Sequence, residues 1–219
     1  MLAATAAVLA LSVSFWYPGC VAAPLSSEEI ITQIQSLALL HRENSTLTLN
    51  TYLQYQGPPF SMSGFSFPYW LEKGLPTAAL GYRTWRCLCP GERLLQARDA
   101  FSAISEFFQL ALDDQNSLNP AAADLLRLLE VARRASEALL RNLKDALIIL
   151  GYQPSSAQQE PLSWAQTDDH AFNKKVRGYV LCREFRDWLT RLPEDMKILR
   201  VTLRLKDSSG QEKKDCCRS

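Results

Sequence analysis

Residues 112–125, LDDQNSLNPAAADL, decide how this chain folds. They separate two long amphipathic stretches and leave only a few residues between them. Asn119 followed by Pro120 is typical of a helix start, with an N-cap and a proline at the first helical position. Two helices joined by so short a connection lie side by side and run antiparallel. The sequence therefore predicts a helical hairpin at its centre.

The two helices of this hairpin are predicted over residues 91–115 and from Asn119 to Gly151. Both place apolar residues at every third or fourth position, which indicates one buried face. The predicted core positions are Leu94, Leu95, Ala97, Phe101, Ile104, Phe108 and Leu112 in the first helix, and Leu125, Leu128, Ala132, Leu139, Leu143, Leu147 and Leu150 in the second.

Another helix is predicted before the hairpin. Ser26 and Glu29 have the spacing of a capping box, and Gly57 followed by two prolines ends the helix. Residues 42–50 are polar and β-branched, which predicts a kink or local fraying in the middle of this helix.

A last helix is predicted to open near Thr167 and Asp168 and to run to Leu199 or beyond. Pro193 interrupts it. Because proline lacks the backbone donor that an α-helix needs, we expect the regular helix to kink or end near Leu189.

The connections on either side of the hairpin determine the topology. Residues 57–88 and the segment after Gly151 are both long enough to travel the length of a helix, so the first two helices can run parallel, as can the last two. The predicted fold is all-α, a long-chain four-helix bundle with up-up-down-down topology and two long crossover loops. Since residues 57–88 are rich in aromatic side chains, this loop must pack on the bundle or meet a partner.

The N-terminus predicts secretion. Residues 1–23 carry no charged side chain, and an apolar run in them is followed by small residues at Ala22 and Ala23, after either of which cleavage fits. The alternative is a buried first helix. We therefore expect a signal peptide at 1–23, a helical domain at 24–205 and a polar, disordered tail at 206–219. No later stretch approaches the roughly 20 apolar residues of a membrane span, so we expect an extracellular protein without membrane insertion.

Composition and the absence of certain motifs argue against several classes of function. A net charge of +1 gives no electrostatic drive toward nucleic acid or a membrane surface. The chain has two histidines and lacks a phosphate-binding glycine loop, a zinc-protease motif and a nucleophile elbow, so we predict no enzyme, no cofactor and no metal site. Loss of Cys20 with the signal leaves an odd number of cysteines, of which at least one stays free or pairs with another chain. The sequon at Asn44 predicts N-glycosylation.

The last helix carries two apolar patches. Leu181, Phe185 and Trp188 share one side, whereas Phe172, Val176 and Tyr179 fall roughly opposite at about 100° per residue. A bundle core accounts for only one of these patches. The other is covered by the loop of residues 57–88 or is a binding surface, on which Phe172 beside Lys175 suits a hot spot.

Several motifs resemble the interleukin-6 family of helical cytokines, and within it the subgroup of cardiotrophin-like cytokine, ciliary neurotrophic factor and the cardiotrophins. The resemblance touches all four helices, and the order and spacing of its motifs are specific. They are TYLQYQGPPF at 51–60 continued by SMSGFSFP, Leu75-Pro76, Trp85-Arg86-x-Leu88, Leu150-Gly151-Tyr152, Phe172-x-x-Lys175 and Trp188-Leu189-x-Arg191-x-x-x-Asp195.

The resemblance implies a secreted cytokine that assembles glycoprotein 130 and the leukaemia inhibitory factor receptor, together with a ciliary-neurotrophic-factor-type alpha receptor, and so triggers JAK/STAT signalling. It also implies that a soluble companion receptor assists secretion. Phe172 and Lys175 match the site for the leukaemia inhibitory factor receptor.

Two further surfaces follow from the same resemblance. Trp85, Arg191 and Asp195 match the alpha-receptor site, although Arg191 and Asp195 also suit a weak surface ion pair. The site for glycoprotein 130 is expected on the exposed faces of the first and third helices, and a merely solvated charged face remains the alternative there. Its candidates are Gln33, Arg134, Glu137 and Arg141. A different function class, a secreted bundle that carries an apolar ligand in an internal pocket, also fits the helical pattern.

Overall fold

A computed structural model describes residues 25–66, 71–152 and 170–209, with side chains as far as residue 205. The predicted signal peptide, the predicted start of the last helix near Thr167 and residues 210–219 lie outside these ranges. The regular elements in them are α1 (Ser27–Gln56), α2 (Tyr82–Cys87), α3 (Pro90–Leu118), α4 (Ala123–Ile149) and α5 (Ala171–Ser209). Among these helices none is long and apolar enough to cross a membrane. The predicted all-α class is confirmed.

The four long helices form a bundle in which α1 and α3 lie diagonally opposite each other, and each packs against α4 and α5. Contacts between helix ends fix the directions. The hydroxyl of Tyr55, at the end of α1, donates a hydrogen bond to Asp124 at the start of α4. Glu28, at the start of α1, forms an ion pair with Arg204 near the end of α5.

Helix α3 runs in the same direction relative to α4 and α5 as α1 does. Asp114 near its end meets Arg177 near the start of α5, and a short turn reverses the chain into α4. Both α1 and α3 are therefore antiparallel to α4 and α5, which is the predicted up-up-down-down arrangement.

The start of α1 follows the prediction and its middle does not. Ser26 accepts a hydrogen bond from the Glu29 amide at 3.2 Å, and the Glu29 carboxylate accepts one from the Ser26 amide at 2.7 Å. The expected fraying at 42–50 is wrong, since α1 is continuous to Gln56. The hydroxyls of Ser45 and Thr48 bond carbonyls of the preceding turn and are buried, so these polar residues are accommodated inside the helix.

The turn between α3 and α4 differs from the prediction in the capping role of Asn119. Asn119 is the C-cap of α3, and its side-chain amide donates to Gln115 Oε1 at 2.8 Å. Helix α4 starts only at Ala123. The N-cap assignment of Asn119 is wrong, but the connection remains short, so the hairpin is unaffected.

Helix α5 is continuous through Pro193 and reaches Ser209, so the expected end near Leu189 is wrong. Its inward face fills the bundle axis. Phe185 makes an edge contact with Phe108 at a centroid distance of 5.1 Å, and Trp188 packs against Phe101 at 6.5 Å. The helix also enters four residues into the segment predicted as a tail.

The loop between α1 and α3 packs on the bundle. Phe60, Leu75 and Ala78 are buried in the common core. The indole of Trp188 donates to the Pro76 carbonyl at 2.9 Å, and the amide of Ala78 donates to Glu184 at 2.9 Å. These contacts tie the loop to α5.

Candidate functional site

The second apolar patch of α5 is only partly covered. Phe65 of the loop packs edge-on against Tyr179 at a centroid distance of 5.4 Å, and Val176 is buried. Phe60 meets one side of the Phe172 ring at 5.9 Å, yet Phe172 remains 50% exposed. The loop therefore takes most of the patch into the core and leaves one aromatic side chain at the surface.

Lys175 stands beside Phe172 and is held by the end of α1. Its Nζ donates to the carbonyl of Gln56 at 2.8 Å. The Tyr52 hydroxyl donates to the Lys175 carbonyl at 3.1 Å and accepts from Gln115 Nε2 at 3.2 Å. Burial raises the pKa of Tyr52 well above its ordinary value, so this hydroxyl stays protonated and available as a donor.

A buried ion pair at the same end of the bundle was not predicted. Asp114 of α3 accepts from Arg177 at 2.7 Å and lies 3.7 Å from Lys174 Nζ. Both Asp114 and Arg177 are buried. A signal existed in the sequence, because Asp114 and Gln115 continue the apolar stripe of α3, where a polar residue needs a partner. The first turns of α5 are thus fixed to both α1 and α3.

Trp85, Arg191 and Asp195 are brought together, as the resemblance implied, but around a buried carboxylate. Asp195 has no exposed surface. It accepts from Trp85 Nε1 at 2.8 Å and from Arg191 Nε at 2.9 Å, and it forms an ion pair with Arg93 of α3. The expectation of a weak surface pair is therefore wrong, and Arg93 is a member of the cluster that sequence reasoning missed.

Arg93 also contacts Trp85 and the residue that ends α2. Its guanidinium lies 5.0 Å from the centre of the Trp85 ring, and its Nε donates to the Leu88 carbonyl at 3.1 Å. It therefore ties the short helix α2 to α5 through Asp195. Because Asp195 is enclosed, it positions Trp85 and Arg191 and cannot itself touch a partner.

A groove of about 460 Å³ opens beside this cluster. Arg191 lies over the Trp188 ring at 4.5 Å and donates to Gln96 at 2.8 Å. Burial lowers the pKa of Arg191 from its ordinary value. The groove combines an aromatic wall, aliphatic side chains and charges at its rim. It is lined by Ala78, Ala79, Leu80, Trp85, Asp187, Thr190, Arg191 and Glu194.

The third predicted surface lies along α1 and α4. Gln33, Arg134 and Arg141 are exposed, and Glu137 is half-buried. On α4 the charges pair within the helix: Glu130 accepts from Arg133 at 2.8 Å and from Arg134 at 2.7 Å. These bonds lower the pKa of Glu130 to about 2.

The α1 part of this surface has an apolar component that was not predicted. Leu40 is 66% exposed and Leu47 is 51% exposed. Asn44, the predicted glycosylation site, is exposed between them. Exposed large aliphatic side chains on one helix face indicate a contact surface more strongly than charges do.

Comparisons with known proteins show the family of this chain. The family model for plethodontid receptivity factor matches residues 4–203. Cardiotrophin-2 from Mus musculus is 39% identical over 180 residues, which cover 82% of this chain and 88% of that protein. The chain belongs to the cardiotrophin-like cytokines of the interleukin-6 family.

Other relatives extend the same match. Cardiotrophin-2 from Pan troglodytes is 40% identical over the same shares of the two chains. Cardiotrophin-1 from Homo sapiens is 33% identical over 172 residues, covering 77% of this chain and 84% of that protein. This cardiotrophin-like cytokine is therefore related to them over nearly its whole helical bundle.

Proposed function

We propose that this cardiotrophin-like cytokine is secreted through the signal peptide at 1–23 and acts by holding cell-surface receptors together. Its partners are glycoprotein 130, the leukaemia inhibitory factor receptor and a ciliary-neurotrophic-factor-type alpha receptor, and the assembly triggers JAK/STAT signalling. It needs no catalysis and no cofactor, because bringing receptors together requires only separate binding surfaces on one rigid body.

The observation that carries the proposal is the half-exposed ring of Phe172. Burial of this ring against a partner removes apolar surface from water, and aromatic anchors dominate interface energetics. The network of Tyr52, Gln115 and Asp114 holds the first turns of α5 in place. A pre-ordered anchor loses little conformational entropy on binding. Because Phe172 and Lys175 also match the family motif for the leukaemia inhibitory factor receptor, we assign them to that receptor.

The alpha receptor is assigned to the groove beside Trp85. The exposed part of the Trp85 ring and the rim residues Thr190 and Glu194 offer contact area, while Arg93 and Asp195 keep that ring in one orientation. Asp195 acts here as a positioning residue. Arg191 contributes through its position over Trp188, since most of its surface is already covered.

Glycoprotein 130 is assigned to the α1/α4 surface. We add Leu40 and Leu47 to the candidates Gln33, Arg134, Glu137 and Arg141, because the two leucines supply the apolar area that a charged face lacks. The alternative of an apolar-ligand carrier is not favoured by any observation, as the aromatic rings of Phe101, Phe108 and Phe185 fill the bundle axis.

The test is STAT phosphorylation in cells that express the two signalling receptors, with and without the alpha receptor. The wild-type cytokine is expected to signal, and Phe172→Ala combined with Lys175→Ala is expected to lose signalling while it folds normally. Val201→Ala is the matched control, since Val201 is also exposed on α5. Silence of the wild type in both cell types contradicts the proposal, and full potency of the double variant contradicts the assignment of Phe172 and Lys175.

A further inference from the structure

Asn44 lies in the middle of an apolar stripe. Leu40, Asn44 and Leu47 are spaced by four and three residues, so their side chains follow one another on the same face of α1. Both leucines are more than half exposed, and Asn44 is exposed between them. The stripe is therefore a single surface of which Asn44 is the centre.

This stripe borders α4. Gln33 and Tyr55 each lie eleven residues from Asn44, which is about three helical turns, so they share its side of the helix. The Tyr55 hydroxyl reaches across to Asp124 of α4 at 2.6 Å. Asn44 thus sits within the α1/α4 surface, whereas Lys175 and Phe172 lie at the α5 side of the bundle.

Asn44, Ser45 and Thr46 form an N-glycosylation sequon, and both Asn44 and Thr46 are exposed. In the modification, the side-chain amide nitrogen of Asn44 attacks the anomeric carbon of a lipid-linked oligosaccharide diphosphate. The new bond is carbon to nitrogen. The bond from the anomeric carbon to the diphosphate breaks, the lipid diphosphate leaves with the electron pair, and the amide gives up one proton.

A sugar on Asn44 lies close to the neighbouring side chains on the same face of α1. Neighbouring side chains on a helix face are only about 5–6 Å apart, and an N-linked oligosaccharide is bulky and hydrophilic. Attached to Asn44, it covers Leu40 and Leu47 and surrounds them with polar groups. The same sugar leaves the start of α5 uncovered.

We propose that an N-glycan on Asn44 shields the leucine stripe and blocks the receptor that binds the α1/α4 surface, so that sequon occupancy sets the signalling strength of the cytokine. The inference rests on the proposed function, in which that receptor is glycoprotein 130. The glycosylated form still binds the leukaemia inhibitory factor receptor, and it therefore occupies one receptor without recruiting the other.

The test uses full-length chain secreted from mammalian cells and soluble ectodomains of the two receptors. Removal of N-glycans should lower the mass of the wild type and not that of Thr46→Ala. Glycosylated wild type is expected to bind the glycoprotein 130 ectodomain at least about tenfold more weakly than Thr46→Ala. Both forms are expected to bind the leukaemia inhibitory factor receptor ectodomain equally.

A displaced glycan is the control. Tyr82→Asn in the Thr46→Ala background creates the sequon Asn-Arg-Thr at 82–84 on α2, which Trp85 and Arg93 hold against the far part of α5, and its glycosylated form is expected to bind both ectodomains like Thr46→Ala. Two results overturn this inference alone. One is a wild type that carries no glycan, and the other is equal binding of glycosylated wild type and Thr46→Ala to glycoprotein 130. If the unglycosylated Thr46→Ala variant binds neither ectodomain, the proposed function fails as well.

Discussion

The phenolic oxygen of Tyr52 lies so close to Gly178 that a β carbon on that glycine would stand 2.1 Å from it. Tyr52 belongs to α1 and Gly178 to α5, so the two helices approach each other closely at this level. The same hydroxyl donates a hydrogen bond to the Lys175 carbonyl and accepts one from the side-chain amide of Gln115. The missing side chain of Gly178 therefore lets a buried hydroxyl fix the part of α5 that carries Phe172.

Gly178→Ala is expected to be destabilising. The added methyl group collides with the ring and hydroxyl of Tyr52, which is fully buried and cannot swing away. Overpacking of this kind lowers the free energy of unfolding by about 1–3 kcal/mol. Urea denaturation measures it. The matched control is Gly81→Ala, where the nearest atom is 4.0 Å away and a change within about 0.5 kcal/mol is expected.

Asp195→Asn should be among the most damaging single polar substitutions in the described chain. It removes the negative charge that Arg93 and Arg191 share in a buried site. Breaking a buried ion pair costs about 3–5 kcal/mol. Glu28→Gln breaks the pair with Arg204, in which both side chains are exposed, and should cost less than about 1 kcal/mol. Equal effects of the two changes in thermal unfolding would show that Asp195 is not the centre of a buried cluster.

The carboxyl of Glu130 should titrate near pH 2. Hydrogen bonds from Arg133 and Arg134 lower its pKa, so its contribution to stability is complete above the ordinary pKa of 4.5 and is lost as the pH falls toward about 2. Carbon NMR of the carboxyl group measures this directly. Arg133→Gln is expected to raise the pKa of Glu130, and Arg141→Gln, on the same helix, is expected to leave it unchanged.

Phe60→Ala should weaken binding to the leukaemia inhibitory factor receptor although Phe60 is buried. Its ring supports Phe172 and also packs against Phe65 at 4.9 Å. The cavity left behind costs about 3 kcal/mol of stability and lets the Phe172 ring move.

Met62→Ala, at an exposed position of the same loop, is the control and should change neither stability nor binding. Receptor binding by folded Phe60→Ala is measured at a temperature below its unfolding transition. Wild-type affinity there would show that Phe60 does not position Phe172.

The proposed receptor surfaces were predictable from the sequence to different degrees. Phe172 could be found because its angle around α5 placed it away from the core stripe, and the angle depends only on residue spacing. Leu40 and Leu47 were not predicted as surface residues, since a leucine in a helical pattern looks the same whether it faces the core or the solvent. Arg93 escaped detection because nothing near it in the chain indicates its distant partner Asp195.

By itself, the sequence determined that four amphipathic helices pair in up-up-down-down order, because helical periodicity and connection length are properties of spacing along the chain. Tertiary structure alone decided which polar groups are enclosed. Asp195 meets Arg93 from another helix, and Asp114 meets Arg177 in the same way. Burial depends on residues that are distant in the chain, so packing turned an expected surface pair into the buried support of the groove beside Trp85.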